Sequence, residues 1–349
     1  MATTLRSGLA TLAQRITTPL LPADYLDVIN PLLSGARLRG RIVAIKPETE
    51  DAATVVIKPG RGWRGHIPGQ YLRIGVEVDG VRHWRTYSLT SRAGDRHLSI
   101  TVKAVPGGTV SNHLVGHART GTIVHLDQAA GDFTLGDQAP QKILFLTAGS
   151  GITPVMGMLR NMTKTSDVVV VHSAPTADEV IFGAELRAMA GRGDIRLVEI
   201  HTRDEGRLDP LRIRAFVDDV DQRQTWACGP GGMLDAIEQH WATRGIADQL
   251  RTERFRTEIV ATGEGGTVTF STTGTVTEAG GDQSLLDAGE SAGVLMPSGC
   301  RMGVCFGCVA PLRRGAVRDL RNGALTTAGD DVVVQTCISA AAGDCDIEL

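Results

Sequence analysis

Pro297-Ser-Gly-Cys300-Arg-Met-Gly-Val-Cys305-Phe-Gly-Cys308 places three cysteines within nine residues, and Cys337 follows in Val334-Gln-Thr-Cys337. The spacing C-x4-C-x2-C with one distant cysteine is a pattern by which four thiolates hold a [2Fe–2S] cluster. Three ligands so close together need a loop that wraps a small inorganic centre. Gly299, Gly303 and Gly307 remove side chains where backbone N–H groups must turn toward sulfur. Such hydrogen bonds offset the negative charge of the centre and help set its potential. The alternatives are four buried structural cysteines or a zinc site. Zinc sites favour paired C-x2-C knuckles, and this segment has one C-x2-C and one C-x4-C. Six cysteines in 349 residues do not make a disulfide framework, and their bunching near the end points to metal. Cys300, Cys305, Cys308 and Cys337 are therefore the expected ligands. Cys345, in Gly-Asp-Cys-Asp-Ile-Glu-Leu, lies outside the pattern and is expected to pack in a terminal strand.

Upstream stand Val268-Thr-Phe-Ser, Gly274-Thr-Val-Thr and Ser284-Leu-Leu-Asp-Ala-Gly-Glu-Ser. They read as a β-hairpin followed by a short helix capped by Ser284. With the cysteines, residues 265–349 resemble the plant-type ferredoxin domain, a β-grasp (α+β) fold.

Further back, Lys142-Ile-Leu-Phe-Leu-Thr is an apolar run of strand length. It enters Ala148-Gly-Ser-Gly-Ile-Thr-Pro154 and a helical stretch from Val155. Strand, glycine turn and helix N-terminus form a phosphate-binding arrangement, because the first N–H groups of a helix are unpaired. Pro154 stands where the usual dinucleotide fingerprint would continue toward a third glycine, and proline suits a first helical turn. Asp167–His172 and Arg196–His201 read as further strands, and Glu179–Ala190 as a helix between them. Gln224-Thr-Trp-Ala-Cys-Gly-Pro230 reads as a strand entering a loop, and Gly231–Trp241 as a helix. The alternation predicts a parallel sheet with crossover helices.

The first third has β-type patterning over Ala36–Ile45, Ala53–Lys58, Gln70–Val78 and Leu98–Val105, punctuated by glycine and proline as in a small antiparallel barrel. Two motifs stand out there: Arg85-Thr-Tyr-Ser-Leu-Thr and Gly107-Gly-Thr-Val-Ser-Asn-His-Leu114. Alone, the first is an ordinary strand and the second a turn with a helix cap. In order with Gly149-Ser-Gly-Ile-Thr-Pro, Cys228-Gly-Pro and the cysteines, they resemble the ferredoxin–NADP reductase superfamily with a fused C-terminal ferredoxin, over residues 37–349.

That resemblance implies a multidomain chain. Residues 1–35 are an N-terminal extension. Residues 36–137 form an antiparallel six-stranded β-barrel flavin domain, and 138–260 an α/β parallel-sheet nucleotide domain. Residues 261–267 are a linker, and 268–349 the [2Fe–2S] domain. Arg85, Thr86, Tyr87 and Ser88 would hold the flavin, with Arg85 on its phosphate, Tyr87 on the ring and the Ser88 hydroxyl at N5. Val102, Lys103 and Ala104 would line it. Gly108, Thr109, Val110 and Ser111 would cap a pyrophosphate, which favours FAD over FMN. Gly149, Gly151, Ile152, Thr153, Pro154, Gly229, Pro230 and Met233 would hold the nicotinamide nucleotide, with Thr153 near the flavin as well. Cys228 would sit under the nicotinamide, and Ser88 and Cys228 would flank the hydride path. Ser173 and Arg203, with no carboxylate before Asp178, favour NADPH over NADH. Glu253 or Phe255 would close the site beside the flavin.

Composition fits this reading. Apolar residues make up 42% and charged residues 21%, enough for packed cores. The 42 glycines, about 12% against a usual ~7%, suit turns and close approaches to ligands. A net charge of −3 does not suggest nucleic acid or an anionic membrane. No apolar run reaches the ~18 residues of a membrane span, so a soluble, cytoplasmic monomer is expected. Leu5–Ile16 has modest helical periodicity, broken by Pro19, Pro22 and Pro31. Extensions of this kind occur in reductases that serve membrane fatty-acid desaturases, so the resemblance implies a desaturase as acceptor and peripheral contact with a membrane-bound partner. Oxygenases, cytochromes P450 and hybrid-cluster proteins are the other acceptors it allows. A flavin- and cluster-binding carrier without nucleotide activity is the alternative of another class. Intact Gly149, Gly151 and Cys228-Gly-Pro argue against it.

Overall fold

Leu72, Ile74 and Val76 alternate with Arg73 and Glu77, which gives a strand one inward and one outward face. The computed structural model forms that strand, β3 (Tyr71–Val78), with the three apolar side chains buried. The structure describes residues 30–33, 38–136, 138–162, 166–255, 261–298, 301, 303 and 306–349. Cys300, Cys305 and nearly all of the extension 1–35 lie outside them. The chain divides into two compact units, 1–227 with 244–251, and 228–243 with 252–349.

In the first unit, β1 (Arg39–Thr49), β2 (Ala52–Pro59), β4 (Val81–Ser88), β5 (Leu98–Lys103) and β6 (Ile123–Leu126) join β3 in one six-stranded antiparallel sheet. Its order is β4-β3-β6-β1-β2-β5. A bridge between Leu89 and Ile100 links the end of β4 to β5 and draws the two edges together. Ile42, Val55, Ile57, Leu72, Ile74, Ile100, Val124 and Leu126 fill the interior. Helix α1 (Thr109–Gly116) adds Val110 and Leu114 to the same core.

The parallel sheet follows the expected alternation. β7 (Lys142–Ala148) pairs in parallel with β8 (Asp167–Ala174), and β8 with β9 (Arg196–His201). With β10 (Gln224–Cys228) and β11 (Leu250–Glu253) the order is β11-β10-β7-β8-β9. Helix α2 (Ile152–Asn161) leaves the glycine turn, as the sequence predicts. The helix expected over Glu179–Ala190 begins later, as α3 (Gly183–Gly191). Phe182 takes a left-handed backbone, φ 60°, and breaks the run. Its buried ring lies under the Arg160 guanidinium, 4.8 Å from the ring centre. Arg160 also holds Glu185 of α3 and donates Nη1 to the Thr90 carbonyl at 2.5 Å, which ties α2 to the barrel.

In the second unit, helix α4 (Gly231–Thr243) faces the end of β11, where Arg254 bonds Asp235 and Glu238. The C-terminal part holds β12 (Gly266–Phe270), β13 (Thr275–Ala279), α5 (Leu285–Ser291), β14 (Val309–Arg314), β15 (Ala316–Asp319), β16 (Leu325–Thr327), β17 (Val333–Gln335), β18 (Ser339–Ala341) and β19 (Cys345–Ile347). One sheet runs β13-β12-β19-β14-β17 and a second β16-β15-β18. The hairpin β12–β13 followed by a helix, with β12 parallel to the last strand, is the β-grasp arrangement. Ser284 caps α5 as expected, accepting from the Asp287 N–H at 3.1 Å. Cys345 is buried in β19, and burial pushes its thiol up to about 11. Among the described residues no helix is long and apolar enough to cross a membrane.

Candidate functional site

Thr336 donates both its N–H and its hydroxyl to the Cys308 carbonyl, at 3.1 and 3.0 Å. The two strands leaving this point, β14 and β17, bring the buried Cys308 and Cys337 together with their sulfurs 3.2 Å apart. The neighbouring Cys337 sulfur lowers the Cys308 thiol below its ordinary range. Two thiolates on one tetrahedral metal at ~2.3 Å lie roughly 3.8 Å apart; this pair is closer than that, and a small separation of the two side chains would let them share one iron. Upstream the backbone is left-handed at Arg301 (φ 61°), Gly303 (φ 72°) and Phe306 (φ 55°). Such turns are costly for residues other than glycine and cluster at functional sites. At these three residues the backbone turns rather than running extended. Arg301 anchors the segment to Glu290 and Asp287 of α5. The buried sulfur pair and the left-handed turns at 301, 303 and 306 fit an iron–sulfur centre. Cys300 and Cys305, the other two expected ligands, fall outside the described residues.

On the barrel, β3 and β4 pair with Leu72 opposite Tyr87 and Tyr71 opposite Ser88. Ser88 is buried. Burial raises the Tyr87 hydroxyl above its ordinary range, so it stays protonated. The Thr86 hydroxyl is sealed from solvent without a hydrogen-bond partner. Arg85 donates Nη1 to the Trp84 carbonyl at 2.8 Å. Val102, buried, and Lys103 end β5, and Lys103 is paired with Asp51 at 2.5 Å. Ala104 donates its N–H to the Asp51 carbonyl at 2.7 Å. Helix α1 starts at Gly108 with no side-chain cap, which leaves its first N–H groups for an anion. A Cβ on Gly108 would lie 2.5 Å from both Ser111 Oγ and Val105 Cγ2. The Ser111 hydroxyl is expected on a phosphate, but here it donates to the Gly108 carbonyl at 3.3 Å. Asn112, not singled out by its sequence, donates to the Val105 and Gly108 carbonyls at 3.0 and 2.8 Å and fixes the same turn. Thr109 and Val110 supply the backbone start of the helix. An uncapped helix end, a glycine cradle and an orphaned buried hydroxyl fit a flavin nucleotide.

The second phosphate turn is equally open. Gly149 has φ 53° with nothing within 4 Å of a would-be Cβ. A single 3-10 turn, Gly149–Gly151, then feeds α2 with no side-chain cap at either start. Ile152, Thr153 and Pro154 are buried, and Thr153 donates its hydroxyl to the Ser150 carbonyl at 2.9 Å. Ser173 is buried near the end of β8, opposite Ala148. Arg203 lies in the helical turn Thr202–Glu205, donates its N–H to the Pro175 carbonyl at 3.2 Å and pairs with Glu179 at 3.3 Å. The structure thus brings Arg203 to the loop that follows Ser173.

In the second unit Cys228 is buried and inert as a thiol, raised first by burial and then by the charge of Glu253. Gly229 is half-buried and Pro230 exposed, and the Met233 N–H closes the turn onto the Pro230 carbonyl at 3.0 Å. Of the two residues expected to close the site, Phe255 is exposed. Glu253 is the enclosed one: its Oε2 has no partner, and burial raises its carboxyl to about 8. Sequence alone does not distinguish a buried glutamate from a solvated one in Leu-Arg-Thr-Glu-Arg-Phe.

The Glu253 shift has a direct consequence for stability. An ordinary glutamate releases its proton near 4.5 once the chain unfolds, while the folded one holds it to about 8. The folded state therefore binds more protons between those values, and stability falls as pH rises through the window. Glu253→Gln should remove that decline. Urea unfolding of both proteins at pH 5.5 and 8.5 checks it, and equal pH slopes would refute the burial of Glu253 as the cause.

Comparison with known proteins agrees with this layout. Residues 52–135 match the oxidoreductase FAD-binding domain, 145–239 the oxidoreductase NAD-binding domain, and 268–342 the 2Fe-2S iron–sulfur cluster binding domain. An NADPH oxidoreductase of Mycobacterium tuberculosis is 52% identical, over 98% of this chain and 92% of its own. A glycine betaine monooxygenase reductase subunit of Pseudomonas aeruginosa is 29% identical, over 79% and 85%. The fold matches phthalate dioxygenase reductase with a TM-score of 0.66 at 22% identity, covering 90% of this chain and 98% of that one. The chain accordingly belongs to the ferredoxin–NADP reductase superfamily with a fused C-terminal 2Fe–2S domain, and is an NAD(P)H oxidoreductase of the FAD and [2Fe–2S] type.

Proposed function

We propose that this chain draws hydride from NADPH and delivers electrons one at a time to an oxygen-activating acceptor, with a fatty-acid or acyl-CoA desaturase as that acceptor. The reading is carried by the sulfur pair Cys308–Cys337 standing downstream of two open phosphate turns on one chain. Bound FAD takes two electrons and releases them singly, and the [2Fe–2S] centre carries one at a time. The residues do the rest. Arg85 binds the flavin phosphate, Tyr87 stacks on the ring, and the Ser88 hydroxyl donates at N5. Thr86 lends its orphaned hydroxyl, and Val102, Lys103 and Ala104 line the ring edge. The N–H groups after Gly108 hold the pyrophosphate. Gly149–Pro154 hold the nucleotide phosphates, and Cys228, Gly229, Pro230 and Met233 shape the nicotinamide side. Cys228 acts by being small and neutral. Glu253, protonated below about 8, adds a polar wall there without a charge. Cys300, Cys305, Cys308 and Cys337 ligate the cluster.

Support for the desaturase comes from the extension 1–35. The desaturase rests on the resemblance of that extension alone: the 52% relative, which matches over 98% of the chain, is described only as an NADPH oxidoreductase, and the monooxygenase reductase subunit matches at 29% over 79%. A cytoplasmic monomer that touches a membrane-bound acceptor fits this picture. The deciding experiment mixes the purified holoprotein with NADPH without oxygen, then adds purified desaturases and oxygenases in turn. Desaturase turnover supports the assignment. Turnover with an oxygenase or P450 alone overturns it, and no bleaching by either nicotinamide overturns the electron path itself.

NADPH preference rests on Ser173 and Arg203. Arg203→Ala should raise KM for NADPH about fivefold, the equivalent of ~1 kcal/mol for an exposed charge contact, and leave NADH unchanged. Steady-state kinetics with both nucleotides check it, and an unchanged NADPH/NADH ratio removes Arg203 from the 2′-phosphate site.

A further inference from the structure

The cysteine loop has two arginines against it, and their charges are spent differently. Arg301 faces two carboxylates, Glu290 and Asp287. Arg321 faces one. Its Nε and Nη2 clamp Asp319 at 3.1 and 2.8 Å, and its own N–H donates to the same carboxylate at 2.8 Å. The remaining nitrogen, Nη1, donates to the Gly303 carbonyl inside the cysteine loop at 3.3 Å.

Register sets where that guanidinium lies. β15 and β18 run antiparallel with Asp319 opposite Ser339. The Leu320 N–H continues the ladder onto the Ile338 carbonyl at 2.7 Å. Arg321 and Cys337 are the residues that flank this last bonded pair, each in the turn beyond its strand. The packing agrees: a Cβ on Gly303 would lie 2.7 Å from Arg321 Nη1 and 2.9 Å from two methyl carbons of Ile338. Gly303 is therefore bare so that Arg321 and the residue after Cys337 can press on the loop. Asp319 first, and Cys337 as well, hold the guanidinium charged.

We propose that Arg321 is a positioning residue that fixes a positive charge at the Cys337 side of the iron–sulfur centre and holds its reduction potential up. Taking an electron adds one negative charge to the centre, and a fixed cation nearby stabilises that state. Asp319 orients the cation and partly opposes it. The electron itself comes from NADPH through the flavin and leaves to the acceptor, so nothing is consumed at Arg321. The inference rests on the assignment of Cys337 as a ligand.

EPR-monitored redox titration of the full-length holoprotein tests it. Arg321→Gln should lower the reduced-to-oxidised ratio at the wild-type midpoint about tenfold, roughly 59 mV for a one-electron couple. Arg321→Lys keeps the charge and should stay near wild type, whereas Asp319→Asn removes the opposing anion and should move the midpoint up. An unchanged midpoint in Arg321→Gln overturns the proposal. So does an equal fall in Arg321→Lys, which would make the Gly303 hydrogen bond the cause. If Arg321→Gln does not take up iron, Asp319→Asn decides alone, since a midpoint that does not rise overturns the idea. Cys337→Ser separates the two readings: full iron content with an unaltered spectrum topples the ligand assignment, and loss of the cluster leaves only the charge effect on trial.

Discussion

Cys308→Ser is expected to leave NADPH oxidation at the flavin near its wild-type rate and to abolish delivery to the acceptor. Cys308 is buried with its sulfur 3.2 Å from Cys337, and the pair supplies two of the four thiolates expected for the cluster. Serine keeps the volume close, and the Thr336 bonds to the backbone carbonyl at 308 do not depend on the side chain. The β-grasp core of Val268, Phe270, Leu285, Ala310, Leu312 and Ile347 is untouched. What is lost is a soft ligand with a depressed pKa, exchanged for a hydroxyl that does not ionise near neutrality. The barrel, with Arg85–Ser88, belongs to the other compact unit, so its flavin chemistry has no reason to change.

Stopped-flow absorbance without oxygen checks the first half, and EPR of the reduced protein with an acceptor assay checks the second. The expected result is rapid flavin bleaching, loss of the iron–sulfur signal and no acceptor turnover. Acceptor turnover at the wild-type rate would mean that electrons leave directly from the flavin, and the cluster would no longer be the exit of the path.

Both results turn on features that differ in how far they could be read from sequence. The cysteine spacing is legible because an inorganic centre dictates it, and the order of glycine turns because phosphates demand free N–H groups. β7 and β8, the central apolar strands of the parallel sheet, are buried along nearly their whole length and announce themselves as runs. β4 does not: Val81-Arg-His-Trp-Arg carries polar residues at neighbouring positions and has exposed or half-buried residues throughout its first half. Only its second half, Arg85-Thr-Tyr-Ser, reads as a strand, and its start is marked by the Asp79-Gly80 turn, both residues at positive φ, which suits a two-residue hairpin. β6 is four residues long and too short for periodicity. The role of Arg321 and the burial of Glu253, itself a candidate from sequence, are further out of reach. The first depends on a contact with Gly303 made by the fold and the second on exclusion of water, and neither leaves a mark on the neighbouring residues.

Gly157 is the position where that tertiary register can be tested with one methyl group. It lies inside α2, where glycine costs about 1 kcal/mol relative to alanine, so helix propensity alone makes Gly157→Ala stabilising. Packing has the opposite sign. The new Cβ would stand 2.3 Å from the Leu89 carbonyl oxygen, a backbone atom with little freedom to move. Leu89 is held by its N–H to the Gln70 carbonyl at 2.9 Å and by its bridge to Ile100, and Thr90 by Arg160. The same seam includes Gly69, φ 98°, whose Cβ would meet the Phe133 carbonyl at 2.1 Å. Forced overpacking costs about 1–3 kcal/mol, so the net effect should be destabilising by about 1 kcal/mol. The larger effect is on rate. α2 begins at the phosphate turn Gly149–Pro154, and Leu89 directly follows Ser88, so pushing the helix off the barrel moves the nucleotide site away from the flavin strand. A misplacement near 1 Å can cost about 100-fold in a positioned reaction. Gly157→Ala is therefore expected to slow NADPH-dependent flavin reduction by about 10- to 100-fold while flavin content stays full. Stopped-flow reduction and urea unfolding measure the two effects. A variant that is more stable and as fast as wild type would show that the seam yields, and that the close approach of α2 to Leu89 does not set the distance for hydride transfer.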